Sequence, residues 1–175
     1  MFRGDFVLAL SQARFNEMVD DHGAVLYRIA FRMVGRQHDA EDIVQETFRS
    51  AWNSRARYRP ELGERAWLVT ILRRRVIDGW RRQRARTVSF DEMELEFGVP
   101  GDDPAAHEFE DHVQSALDQL PEQLRETLLL VVVGELTHQE VADTLSIPIG
   151  TVLSRVSRAR TRLRKLLVED EISNQ

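Results

Sequence analysis

The stretch Thr137-His-Gln-Glu-Val-Ala-Asp-Thr-Leu-Ser-Ile-Pro-Ile-Gly-Thr-Val-Leu-Ser-Arg-Val-Ser-Arg-Ala-Arg160 decides the fold. Thr137 stands three residues before Glu140. This is the capping-box spacing, in which the threonine hydroxyl accepts from the third helical amide and the glutamate reaches back to the cap. It predicts a short helix over residues 139–145, interrupted by Ser146-Ile147-Pro148-Ile149-Gly150, because proline and glycine break helical continuity. Residues 150–165 then carry six basic side chains and no acidic one. At about 100° per residue, Val152, Val156, Ala159, Leu163 and Leu166 share a face that has to be buried. Thr151, Ser154, Arg155, Arg158, Arg162 and Lys165 share another. Two short helices joined by a tight turn, the second of them basic, make a helix-turn-helix, whose second helix enters the major groove of DNA. Thr151, Ser154, Arg155 and Arg158 are expected near base edges, Arg162 and Lys165 near phosphates.

The basic segment sits in a chain of 175 residues with a net charge of -5. The acid is local. Residues 1–86 hold seventeen arginines against eleven acids, whereas residues 87–111 hold nine acids and no basic residue. Gly98, Pro100, Gly101 and Pro104 interrupt that acidic stretch, which reads as an exposed linker between two small domains. Fully extended, residues 87–111 span at most about 85 Å. Their acids predict a tether that shields the arginine-rich helices in the free protein. There is no cysteine, which excludes disulfides and thiolate metal sites and favours a reducing compartment. The longest apolar run, 128–133, is far shorter than the roughly 20 residues of a membrane span. The expectation is a cytoplasmic protein with no membrane insertion.

The N-terminal part is predicted to be helical throughout. Phe15, Met18, Val19, His22, Val25, Leu26, Ile29 and Ala30 form one apolar stripe. A second helix is expected to start at Asp39 as N-cap and to bury Ile43, Val44, Phe48, Ala51 and Trp52. Its charged face, with Asp42, Gln45, Glu46 and Arg49, reads from the residues alone as a solvated surface. After the break at Tyr58-Arg-Pro-Glu-Leu-Gly63, a third helix is predicted from about Glu64. Seven arginines crowd its second half within residues 73–86, around Trp80. Such a basic amphipathic helix fits a membrane surface or nucleic acid, and the guanidinium fork favours phosphates and bases. With twenty-three arginines to one lysine in the whole chain, that preference carries little weight alone.

Taken in order, Asp39-Ala-Glu-Asp-Ile-Val-Gln-Glu-Thr-Phe48, Arg65-Ala-Trp-Leu68, Leu120-Pro121, Leu136-Thr-His-Gln-Glu-Val-Ala142 and Ile149-Gly-Thr-Val152 with Ser154-Arg155 and Arg158-Ala-Arg160 resemble the extracytoplasmic-function (ECF) sigma factors of the sigma-70 family. The resemblance covers nearly the whole chain. It implies an all-α fold: sigma domain 2 over residues 1–86, an acidic linker over 87–108 and sigma domain 4 over 109–175. It further implies that Asp42, Gln45, Glu46 and Arg49 dock on core RNA polymerase. Tyr58, Arg59, Glu61, Glu64, Arg74 and Arg81 are then expected at a minus-10 strand, Tyr58 by stacking on a base. The helix-turn-helix would read a minus-35 duplex. Promoter DNA, core polymerase and an anti-sigma factor are the implied partners, with no cofactor, metal or catalytic residue. Two departures stand out. The family usually carries Asn where Arg74 stands, and Lys or Arg where Leu153 stands.

Other readings are weaker. His107 and His112 are five residues apart, which does not match the His-Glu-x-x-His spacing of a zinc enzyme. A stand-alone helix-turn-helix regulator would bind a palindrome as a dimer, but it leaves the N-terminal helices unexplained. An adaptor that binds only proteins predicts no salt-dependent DNA binding.

Overall fold

A computed structural model describes residues 10–58, 60–87 and 104–173. Among these residues the elements are seven α-helices and two short 3-10 turns, and there is no strand. Arg59 and the acids between Asp91 and Asp103 lie outside the described residues.

Helix α1 (Gln12–Val34) is capped at Ser11, whose side chain accepts from the Arg14 amide, and ends at Gly35. Gly35 adopts φ 74° and donates its N–H to the Phe31 carbonyl, a left-handed stop that glycine takes without a Cβ penalty. The predicted stripe is the buried one, with Met33 extending it, while Val19 and His22 sit at its margin. Helix α2 (Gln37–Asn53) starts two residues before the expected cap. Asp39 lies in its first turn and pairs with Arg36 at 2.8 Å, so it acts on the positive helix end and not as an N-cap. Helix α3 (Glu64–Thr87) packs across α1 and α2. Phe15 packs tilted against Trp52 and meets Phe48 edge-on, joining α1 to α2 through aromatic contacts.

Helices α4 (Pro104–Asp118), α5 (Glu122–Val132), α6 (His138–Leu145) and α7 (Ile149–Ser173) form the second half. Pro121 is the residue before α5 and not part of its first turn. The capping box forms at α6: the Glu140 amide donates to the Thr137 hydroxyl at 3.2 Å, and the Thr137 amide donates to the Glu140 carboxylate at 2.7 Å. Ser146 closes α6 in the left-handed region at φ 54° and donates its N–H to the Ala142 and Asp143 carbonyls. This bend turns the chain into α7, whose Val152, Val156 and Ala159 are buried against α5 and α6.

The two halves share one apolar cluster. α5 and α4 lie on α1, and α6 lies on α3. Polar pairs cross the seam. Arg73 of α3 donates to Glu126 of α5 at 2.7 Å, and Arg65 donates to Glu135 at 2.6 Å. The Arg125 guanidinium stands 5.6 Å from the centre of the Trp80 ring. Gly134 permits this approach: a Cβ there would lie 3.3 Å from Ile29 Cδ1 of α1 and 2.6 Å from the Leu130 carbonyl oxygen.

Candidate nucleic-acid interface and docking surface

The second half of the molecule presents α7 as an open ridge. Its buried face faces α5 and α6; on the side turned away lie Ser154, Ser157 and Thr161, all exposed. Arg158 and Arg162 flank this ridge on one edge, and Arg160 and Arg164 flank it on the other, all exposed. No acid occurs between Ile149 and Val168. Small polar groups between two basic edges fit a groove, where bases lie centrally and phosphates on both sides. Thr151 is half-buried and its carbonyl accepts from the Ser154 hydroxyl at 3.1 Å. Arg158 donates back to Ser154, which orders the guanidinium along the ridge. Arg155 is half-buried instead, held by Gln123 of α5 at 2.9 Å. With Arg158 and Arg162 it lines an open cleft beside Pro121 and the start of α5. The positive end of α5, which carries no side-chain cap, adds to the charge of these arginines, a combination that suits a phosphate.

In the first half, Asp42, Gln45, Glu46 and Arg49 fall on one face of α2, spaced three, four and seven residues from Asp42. Asp42, Gln45 and Arg49 are exposed and Glu46 is half-exposed. Their ion pairs stay within the helix surface: Asp42 with His38 at 3.6 Å and Glu46 with Arg49 at 3.5 Å. Among the described residues this face stays at the surface of the molecule.

The residues before and along α3 divide into two groups. Glu61, Arg74 and Arg81 are exposed. Glu64, by contrast, is tied by Arg14 and faces His22 at 3.3 Å, so its carboxylate anchors the start of α3 to α1. Tyr58 departs from expectation. Its ring is 7% exposed and lies 4.9 Å from the Trp67 ring, making it a core residue that cannot stack on a base from this position. Burial pushes its phenol pKa up, with Glu64 adding to the shift. The aromatic side chain satisfies the apolar seam between the loop and α3 better than it would satisfy water.

Comparison with known proteins bears on this geometry directly. The profile of Sigma-70 region 2 matches residues 18–86, and that of Sigma-70 region 4 matches residues 111–163. The chain is 33% identical to the ECF RNA polymerase sigma factor SigL of Mycobacterium tuberculosis over 97% of both proteins. It belongs to the ECF RNA polymerase sigma factors. It is also 35% identical to SigE of Mycolicibacterium smegmatis, covering 89% of this chain and 62% of that relative's length. The crystallised sigma factor RpoE of Bartonella quintana, in complex with the anti-sigma factor NepR, superposes with a TM-score of 0.72 at 27% identity. That superposition covers 87% of this chain and 96% of the other.

ECF sigma factors are initiation factors and not enzymes, in keeping with an architecture built from binding faces. No described helix of this sigma factor is long and apolar enough to cross a membrane. Sequence reasoning missed Ser157, Arg160, Thr161 and Arg164, because it grouped α7 by a single basic face. Their signal was present: all four fall outside the buried stripe, Ser157 and Thr161 next to Ser154 in helical projection and Arg160 and Arg164 on the edge opposite Arg158. It also missed Glu126, which periodicity could not distinguish from a surface glutamate.

Proposed function

We propose that this sigma factor brings core RNA polymerase to promoters by reading a minus-35 duplex with α7 and a minus-10 strand with α3. The observation that carries the reading is the α7 ridge, small polar residues between two basic edges with no acid among them. Ser154, Ser157 and Arg158 would meet base edges, while Arg155 and Arg162 at the cleft and Lys165 beyond it would meet one phosphate strand. Arg160 and Arg164 would meet the other. Thr151 supports the first turn through its carbonyl.

Arg74 and Arg81 are exposed on α3, and Glu61 is exposed in the loop before it; together with Arg59 they supply the minus-10 contacts. Tyr58 and Glu64 hold the loop that carries these groups. Because Arg73 is engaged by Glu126 and Trp80 by Arg125, α3 meets a melted strand after the two halves part. Residues 87–108 then act as the linker between a polymerase- and minus-10-binding half (1–86) and a minus-35-binding half (109–175).

Asp42, Gln45, Glu46 and Arg49 serve as the polymerase dock. The fold shared with RpoE, a sigma factor crystallised with its anti-sigma factor, supports control of this chain by a protein inhibitor in the cytoplasm. The chemistry of RNA synthesis stays with the polymerase. Opening DNA costs about 1.4 kcal/mol per base-pair step, more than one small protein recovers from a few captured bases. Run-off transcription tests the proposal: sigma-free core polymerase plus this chain should give transcripts from a subset of a promoter library, and Arg158→Ala should abolish them. No transcript, with tight palindrome binding by the chain alone, would instead identify a stand-alone regulator.

A further inference from the structure

We infer that Leu153 is a base-reading residue that packs against the 5-methyl group of thymine in the major groove. Leu153 is 49% exposed, and Ile149, one turn earlier, is 44% exposed. Among the described residues neither surface is covered. Val152, Val156 and Ala159 already bury the apolar face of α7, so Leu153 offers its side chain to something outside the molecule.

The surroundings decide what that something is. Ser157, Arg160 and Arg164 share the edge of α7 that carries Leu153, and Ser154 follows it on the outer ridge, all of them exposed. An apolar protein groove that accepted Leu153 would have to accommodate these guanidinium groups as well. A polyanion carrying an isolated apolar spot accepts both, and the major groove offers one such spot, the thymine methyl. Leu153 sits in the second turn of α7, within the part of a recognition helix that reaches base edges. Adenine and guanine present N7 with N6 or O6 at the equivalent edge, which a leucine would desolvate without pairing, and cytosine carries a hydrogen where thymine carries its methyl. Leu153 therefore selects thymine by the methyl contact, against cytosine by the loss of that contact and against the purines by leaving their polar edges unpaired. This rests on the reading of α7 as the minus-35 helix.

The experiment begins with the holoenzyme, full-length chain plus core RNA polymerase, selecting minus-35 duplexes from a randomised library. Each thymine of the selected duplex is then replaced singly by deoxyuridine, which deletes only the methyl group. At one or two positions the replacement should weaken binding about fourfold, the equivalent of one buried methyl. The Leu153→Ala holoenzyme should bind the thymine and uracil duplexes equally at those positions and accept other bases there. Leu153→Lys should lose the same methyl dependence while steepening the dependence on salt. Because Leu153 is exposed, circular dichroism should show both variants folded. A flat uracil scan, or methyl dependence that persists in Leu153→Ala, overturns the inference and leaves α7 as the reader. Failure to enrich any minus-35 sequence overturns the reading of α7 itself.

Discussion

Replacing Arg73 by alanine should destabilise the folded chain far more at neutral pH than in acid, and Glu126→Gln should remove most of that cost. The pair joins α3 to α5 at 2.7 Å, with the Glu126 side chain 9% exposed and that of Arg73 28% exposed. Burial pushes the Glu126 carboxyl above its ordinary range, against the pull of Arg73 and, more weakly, Arg155, with Glu122 adding a small push upward. A folded-state pKa above the unfolded one means that the folded chain holds the proton more tightly. The group therefore favours folding below the unfolded value, and that contribution fades as pH rises through the folded value. Deleting Arg73 removes the main attraction and raises the pKa further, so the Arg73→Ala penalty grows across this window and is smallest where Glu126 is protonated.

Breaking a fully buried pair costs about 3–5 kcal/mol. Partial exposure of Arg73 brings the expectation to about 2–3 kcal/mol at neutral pH, a shift of about 1 M in the urea midpoint. Glu126→Gln alone should stay within about 1 kcal/mol of the parent, since the amide oxygen still accepts from Arg73 and no buried charge remains. The double variant should cost about 1 kcal/mol, giving a coupling of about 1–2 kcal/mol. Urea unfolding followed by circular dichroism at several pH values measures all four proteins. A coupling below about 0.5 kcal/mol, or an Arg73→Ala penalty independent of pH, would refute the reasoning.

Three further outcomes follow from other sites. Asp42→Arg combined with Glu46→Arg should weaken binding to core polymerase at least tenfold in a pull-down titration while leaving stability within about 0.5 kcal/mol, as both side chains lie on the outer face of α2. Arg162→Ala should lower affinity for every minus-35 duplex and change the slope of log affinity against log salt by about one unit, measured by fluorescence anisotropy; an unchanged slope would place Arg162 away from phosphate. Thr137→Ala removes the hydroxyl that accepts from the Glu140 amide and should cost about 1 kcal/mol of stability in urea; Thr137→Ser should restore most of it.

Much of the fold is legible because its punctuation is local. The capping box at Thr137 and Glu140 forms as its spacing dictates, and the stripes from Phe15 to Ala30 and from Val152 to Ala159 are the buried faces. Local rules fail where two elements compete for a residue. Asp39 has the chemistry of an N-cap, yet α2 begins at Gln37, directly after the bend at Gly35, and Arg36 holds Asp39 within its first turn. Tyr58 has the chemistry of a stacking platform, yet Trp67 claims its ring. Arg155 belongs to the basic face by periodicity, but Gln123 draws it to the flank beside α5.

The sequence by itself therefore determined the helices, the helix-turn-helix, the opposed charges of the α2 and α7 surfaces and the family, all of which depend on spacings within a few turns. Only the tertiary structure decided how the two halves meet: Gly134 against Ile29, Arg73 on Glu126, Arg65 on Glu135 and Arg125 over Trp80. Those contacts join residues far apart in the chain, so no periodicity encodes them. An arginine aimed at DNA and an arginine held by a buried glutamate look alike until packing chooses between them.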